Sequence, residues 1–153
     1  MTQTTLPEGM DFPLEGVRVL DLSRVFAGPL CGQVLADFGA EVIKVEHPLR
    51  GDDTRDWGMR IGKTETTYYN SMNRNKRSIT LDLQSAEGVQ IIYELLPQFD
   101  VVIHNFKHGG ADKLGLGYEK LKSIKPDLIY CSIAGYNSDT PEAHRPGYDL
   151  VIQ

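Results

Sequence analysis

The fold is decided by residues 17–46, which read VRVLDLSRVFAGPLCGQVLADFGAEVIKVE. Residues 17–22 are aliphatic and β-branched, which is typical of a strand. The small residues at 27–29 predict a turn, and apolar side chains then recur at helical spacing over 30–38. Residues 41–46 alternate apolar and charged side chains, as a second strand would. This stretch therefore predicts a βαβ unit.

Further apolar segments continue the same rhythm along the chain. Residues 78–83, 100–106 and 128–133 predict three more strands, and helices are predicted over 85–97 and 118–125. The strand at 100–106 is almost wholly apolar, so we expect it, and the strand at 128–133, to lie inside a parallel sheet. The predicted fold class is α/β, a doubly wound (Rossmann-like) fold with a mostly parallel sheet.

Three segments fall outside this rhythm. Residues 1–13 are polar without periodicity and are predicted to be a flexible N-terminal arm. Residues 49–77 are rich in glycine and basic side chains, which predicts a functional excursion or a lid-like insertion. The apolar residues 150–152 look like the first turn of a helix, so we expect 14–153 to be the leading part of a longer polypeptide.

Composition limits the classes of partner. The 153 residues include 16 Lys and Arg against 21 Asp and Glu, and the net charge of −5 argues against a nucleic-acid binder. No stretch approaches the roughly 20 apolar residues of a membrane span. Cys31 and Cys131 lack the spacing of a redox or metal motif and are expected to be core thiols in a reducing compartment. The sequence predicts a cytoplasmic protein with no nucleic-acid partner and no membrane partner.

Ligands of doubly wound sheets bind beyond the carboxyl ends of the strands. The segment after the first predicted strand lacks Gly-x-Gly-x-x-Gly, and no Gly-x-x-x-x-Gly-Lys-Ser/Thr occurs, so neither a standard dinucleotide site nor a P-loop is supported. The four histidines have no metal-ligand spacing, which predicts no metal site. Cationic side chains nevertheless follow the predicted strands and suit an anionic ligand such as a phosphorylated nucleotide. They are Arg24, His47, Arg50, Arg55, Lys107, His108 and Lys113.

Eight runs of residues carry a family resemblance. In order, they are LEGVRVLDL from 14, AGP from 27, LADFGAEVIKVE from 35, GDDTR from 51, NRNKRSITLDL from 73, DVVIHNF from 100 and KLGLGY from 113, followed by RPGYD from 145. Together they resemble the N-terminal part, within the large domain, of the family III CoA-transferases, the CaiB/BaiF family. The resemblance implies an α/β CoA-binding part over 14–153.

The resemblance also implies a site for CoA or acyl-CoA, which act as substrates, with no tightly bound cofactor. Val25 and Ala27 match positions at the pantetheine arm, and His47 and Lys113 match positions where an Arg meets the CoA phosphates. The segments that match the adenine and ribose contacts contain Leu81, Asp82, Leu83 and Gln84, and Asn105, Phe106 and Lys107. Substrate-side positions match Phe26, Tyr148 and Asp149.

The implied reaction moves CoA from an acyl-CoA to a small carboxylic acid. An aspartate carboxylate attacks the thioester and forms a mixed anhydride, the CoA thiolate then gives an enzyme-CoA thioester, and the acceptor carboxylate completes the exchange. In the family this Asp lies beyond the Gly-Tyr-Asp motif, so the catalytic nucleophile is expected after Gln153. Two such chains interlock as a homodimer in the family.

Two alternatives stay open. An α-methylacyl-CoA racemase of the same family would carry a histidine at the position of Tyr148, and a phenol with a pKa near ~10 is a poor base for exchanging an α-proton. The transferase is therefore preferred. The second alternative is a non-catalytic CoA-binding module that acts through a partner.

Overall fold

Five parallel strands form one sheet in residues 12–148, the part of the chain that this computed structural model describes. The strands are β1 (Arg18–Asp21), β2 (Glu41–Glu46), β3 (Lys76–Thr80), β4 (Val101–His104) and β5 (Ile129–Ser132). Their order is β3-β2-β1-β4-β5. Val19 of β1 lies opposite Val42 of β2 and Val101 of β4, which fixes the register at the centre. The order reverses between β1 and β4, so the predicted doubly wound α/β class is confirmed.

Helices cover both faces of the sheet. They are α1 (Ala27–Asp37), α2 (Thr67–Asn73), α3 (Ala86–Leu95), α4 (Gly110–Lys113) and α5 (Tyr118–Ile124), with short 3-10 turns at Asp53–Asp56, Leu96–Gln98 and Pro141–His144. Ser85 caps α3 by accepting a hydrogen bond from Gly88 N, as its position before an apolar helix predicts. None of the helices in residues 12–148 is long and apolar enough to cross a membrane.

The core has two halves because successive side chains of a strand point to opposite faces. Leu20 and Val102 pack with Ile92 of α3 and Leu121 of α5 on one face. On the other face, a smaller cluster joins β1, β2 and β4 to α1. Its buried members are Val19, Ala36, Ala40, Val42 and Ile103, and Cys31 and Cys131 pack against them, each partly exposed and free of a disulfide.

Two boundaries differ from the sequence predictions. Helix α1 begins at Ala27, so the residues predicted as a turn form its first helical turn. Pro29 fits there because the missing N–H would have no intrahelical partner at that point. Strand β3 spans Lys76–Thr80 and ends before Leu81, since the Asp82 carboxylate accepts a hydrogen bond from Gln84 N and turns the chain.

Strand β5 lies at one edge of the sheet formed by residues 12–148, whereas the sequence predicted an inner strand. Ile129 in this strand is 62% exposed. The segment at 49–77, predicted as an excursion or insertion after β2, is folded. It contains α2 and packs on the end of β2. Of the predicted N-terminal arm, residues 1–11 lie outside the described residues, and Phe12 contacts Gly39 at the end of α1.

Candidate functional site

The turns that follow β1 and β4 lie side by side at the point where the strand order reverses, which is where such sheets bind ligands. The Asn105 side chain joins them. Its Oδ1 accepts from Arg24 N at 2.9 Å and its Nδ2 donates to Arg24 O at 2.6 Å. The carboxamide of Asn105 is therefore used by the neighbouring backbone, whereas the family resemblance implies that its segment contacts the adenine and ribose.

The turn after β1 contains three predicted ligand positions, Val25, Phe26 and Ala27. Val25 has a φ of 73°, a left-handed conformation that is strained for a β-branched residue. Phe26 is the N-cap residue of α1 but supplies no side-chain hydrogen bond, and it is 45% exposed. The first helical turn of α1 therefore begins without a side-chain cap, beside an exposed aromatic ring.

A buried charge layer, formed by Asp21, Lys44, Asp52 and Lys76, lies beneath this turn. Lys44 Nζ is 2.9 Å from Asp52 Oδ2, and Lys76 Nζ is 2.9 Å from Asp21 Oδ2. All four side chains are at most 2% exposed. Burial by itself would raise the pKa of Asp52, but the Lys44 ammonium and the Thr54 hydrogen bonds hold it below its usual value.

A second buried carboxylate, Glu46, ties the segment after β2 to the sheet. Both of its oxygens accept from Arg55, at 2.6 and 2.7 Å, and it also accepts from Tyr69 Oη at 2.8 Å and Ser78 Oγ at 2.6 Å. Against the effect of burial, these donors lower the pKa of Glu46 to about 2. Burial and the Glu46 charge raise the pKa of Tyr69 well above its usual value.

A cleft of about 450 Å³ lies between the start of α3 and the end of α4. It brings together three predicted CoA-binding positions, Leu83, Gln84 and Lys113. Tyr93 closes one side and donates from its hydroxyl to Gly115 O at 2.7 Å. The cleft therefore combines apolar walls, an amide and an exposed cation, which suits an aromatic base with a nearby phosphate.

A larger cavity of about 680 Å³ lies beyond the ends of β4 and β5, and its lining includes Phe106, Lys107 and His108. His104, at its base, stacks on Phe106 with ring centroids 5.1 Å apart. Its Nδ1 accepts from Phe106 N at 3.2 Å, but its buried Nε2 has no partner within the described residues. Burial lowers the pKa of His104, and Asp112 opposes this effect.

Other predicted positions are more scattered. His47 follows β2, and its Nδ1 accepts from Leu49 N at 3.2 Å. Leu81 packs against the core, and Asp82 shapes the turn before α3. Tyr148 is 73% exposed, next to Gly147, whose backbone touches Gly135 so closely that an added Cβ would lie 2.3 Å from the Gly135 Cα. Asp149 lies outside the described residues.

The strands and turns thus bring most of the predicted positions in the described residues to one edge, in three groups: the Val25 turn, the Lys113 cleft and the larger cavity. The sequence profile of CoA-transferase family III matches residues 14–153. The chain belongs to this family. The family resemblance read from the sequence is therefore confirmed.

Several family III relatives are similar over most of this chain. The succinyl-CoA:glutarate CoA-transferase of Mus musculus is 52% identical over 139 residues, 91% of this chain and 32% of that protein. The succinate–glutarate CoA-transferase of Agrobacterium fabrum is 49% identical over 147 residues, 92% of this chain and 37% of that protein. A solved CaiB/BaiF family protein from Brucella suis superposes with a TM-score of 0.87 at 51% identity, covering 94% of this chain and 39% of that one. This chain spans about a third of the length of the curated relatives.

Sequence reasoning missed three residues of this candidate site. Lys44 and Asp52 were not singled out, although opposite charges on a strand and on the segment that follows it are a signal for a buried pair. Tyr68 was missed too, and its ring lies 6.5 Å from Phe26 and 5.7 Å from Trp57. Among residues 12–148, no group of three or more His, Cys, Asp or Glu side chains is arranged to hold a metal ion.

Proposed function

We propose that this chain is the N-terminal CoA-binding part of a CoA-transferase that moves CoA from an acyl-CoA to a small carboxylic acid. The observation that carries the proposal is that, in a family III chain, the Val25 turn and the Lys113 cleft both lie after the carboxyl ends of parallel strands of one sheet. In this arrangement the adenine and 3′-phosphate of CoA occupy the cleft, near Gln84 and Lys113, and the pantetheine arm reaches the turn.

The remaining predicted positions complete this proposed arrangement. Phe106 and Lys107 line the larger cavity, and His47 offers one further polar group for a phosphate. Leu81 and Asp82 support the adenine segment from below, where they pack and turn the chain. The Asn105 carboxamide aligns the two turns through Arg24, and it supports the site through that backbone contact.

The acyl group is proposed to lie against an aromatic wall formed by Phe26, Trp57 and Tyr68. Phe26 and Trp57 are 45% and 44% exposed, so both rings are accessible at the edge of the pantetheine turn. Tyr148 and Asp149 are proposed to orient substrate, and the nucleophilic aspartate is proposed to lie beyond Gln153. The full proposal includes an interlocked homodimer and a cytoplasmic location.

Relatives named for succinyl-CoA and glutarate make these the first donor and acceptor to test. A transferase shows ping-pong kinetics with this pair and an enzyme-CoA thioester that hydroxylamine or borohydride traps. A racemase would instead exchange the α-proton of an acyl-CoA into deuterated water with no acceptor acid present. Rapid α-deuteration without an acceptor acid would therefore show that the protein is a racemase and not a transferase.

Measurements of ligand binding distinguish a CoA-binding enzyme from proteins that bind other nucleotides. Titration calorimetry on the full-length protein should detect CoA and acetyl-CoA, whereas ATP and NAD should give weak heats or none. Binding of CoA without turnover on any acid pair would favour the non-catalytic CoA-binding module. Tight binding of ATP or NAD with no heat from CoA would show that the ligand assignment is wrong.

A further inference from the structure

The strained turn at Val25 is held from one side by a buried carboxylate. Val25 N donates to both oxygens of Asp52, at 3.3 Å each, and Val25 keeps its φ of 73°. A β-branched residue rarely adopts this region, so the conformation persists only where its surroundings impose it. The Asp52 carboxylate supplies such a contact from a different segment of the chain.

The Asp52 carboxylate is itself fixed on its remaining sides. Thr54 donates to Oδ1 from its backbone N at 3.0 Å and from its hydroxyl at 2.8 Å. Lys44 Nζ contacts Oδ2 at 2.9 Å and also donates to Ser23 O at 2.8 Å, two residues before Val25. One buried ion pair therefore holds the turn after β1 through two of its backbone groups.

We propose that Asp52 is a positioning residue, which holds the Val25 turn in its strained conformation and thereby sets the affinity for the pantetheine end of CoA. The inference rests on the proposed function, since it takes this turn as the pantetheine site. Asp52 acts through the Val25 backbone, which its carboxylate contacts directly.

Two ligands distinguish this role from a general effect on folding. CoA reaches both the turn and the Lys113 cleft, whereas adenosine 3′,5′-bisphosphate reaches only the cleft. In the full-length protein, Asp52→Asn should weaken CoA roughly tenfold, because a charge-assisted contact to Val25 N is lost, and leave adenosine 3′,5′-bisphosphate within about twofold. Asp56→Asn is the matched control, because its 72% exposed carboxylate pairs with Arg60, and it should leave both affinities unchanged.

A rescue variant tests the role of backbone strain. Glycine adopts a positive φ without a steric cost, so Val25→Gly in the Asp52→Asn background should restore CoA affinity to within about threefold of the unchanged protein. Thr54→Val provides a gentler perturbation if Asp52→Asn fails to fold. It keeps the Lys44 pair, removes one hydroxyl donor from Asp52, and should weaken CoA about threefold with adenosine 3′,5′-bisphosphate unchanged.

Two results would overturn the positioning role while leaving the proposed function intact. They are an equal loss of both ligands in the folded Asp52 or Thr54 variant, and an Asp52→Asn loss that Val25→Gly does not relieve. If the unchanged protein binds neither ligand, the proposed function is wrong and the positioning role falls with it.

Discussion

Glu46 is a buried carboxylate that accepts from Arg55, Tyr69 and Ser78 at the site edge, and its protonation should govern stability in acid. Its pKa of about 2 in the folded state lies below the ordinary value of 4.5. The unfolded chain therefore binds more protons than the folded one between about pH 5 and 2, so the free energy of unfolding falls as pH falls through this window. The stabilisation present above pH 5 amounts to roughly 3 kcal/mol.

The substitution Glu46→Gln should remove most of that pH dependence. The variant is expected to be less stable than the unchanged protein at pH 7 and to lose less stability between about pH 5 and 2. Urea denaturation at a series of pH values measures both effects. Asp56→Asn, in an exposed ion pair, serves as control. If the free energy of unfolding falls equally in acid for Glu46→Gln and the unchanged protein, Glu46 is not the group responsible.

The position of Lys113 predicts a contact with the 3′-phosphate of CoA. Its exposed ammonium lines the cleft proposed for the 3′-phosphate. Lys113→Ala should weaken CoA roughly five- to tenfold and dephospho-CoA less than twofold, as expected for one lost charge-assisted contact. Calorimetric titration with both ligands measures the difference. Lys122→Ala, on the exposed side of α5, is the control, and an equal loss of both ligands for Lys113→Ala would place the 3′-phosphate elsewhere.

The sequence predicted the positions of the turn residues better than their contacts. Val25 follows one predicted strand and Asn105 lies near the carboxyl end of another, so their presence at one sheet edge required only the fold class. That Asn105 bonds to Arg24 depends on β4 lying next to β1, an order that local patterns do not encode. The burial of Lys44 depends likewise on the fold of the segment that carries Asp52.

Helix α1 approaches the buried charge layer through a face without bulky side chains. A Cβ added at Gly32 would lie 2.8 Å from Asp21 Oδ2 and 3.2 Å from Lys76 Nζ. Gly32→Ala should therefore force the helix away from the sheet or break this ion pair, and lower the free energy of unfolding by about 1–3 kcal/mol. Gly62→Ala is the control, since nothing lies within 4 Å of its added Cβ. Equal denaturation midpoints for Gly32→Ala and the unchanged protein would show that α1 accommodates the added methyl group without loss of stability.

Periodicity predicted the five strands and the helices α1, α3 and α5 apart from some of their ends, whereas α2 and α4 were not predicted. Strand β2 matches its predicted range of 41–46, because alternation of apolar and charged residues gave both ends. The start of α1 was predicted three residues late, since Pro29 looks like a breaker and is in fact tolerated in a first helical turn. The edge position of β5 was missed because an apolar sequence does not reveal which strand lies beside it.

Charge is distributed unevenly over the protein. The net charge is −5, yet Arg24, His47, Lys107 and Lys113 lie on the turns of one sheet edge. Because exposed charges are screened over roughly 10 Å at 0.1 M salt and 3 Å at 1 M, CoA affinity should fall several-fold between these concentrations. Pantetheine, which has no phosphate, should bind independently of salt. Titration of both ligands tests this, and a salt-independent CoA affinity would exclude an electrostatic role for that edge.

The pairing of Lys44 with Asp52 also restricts which substitutions these two positions can accept during evolution. A single neutral replacement of either residue leaves its partner charged in the interior, at a cost of roughly 3–5 kcal/mol, which is a large part of the stability of an ordinary domain. Lineages that lose one partner are therefore expected to have lost the other as well. Evolutionary change at these two positions should occur as a coupled exchange, even though they lie eight positions apart on different segments.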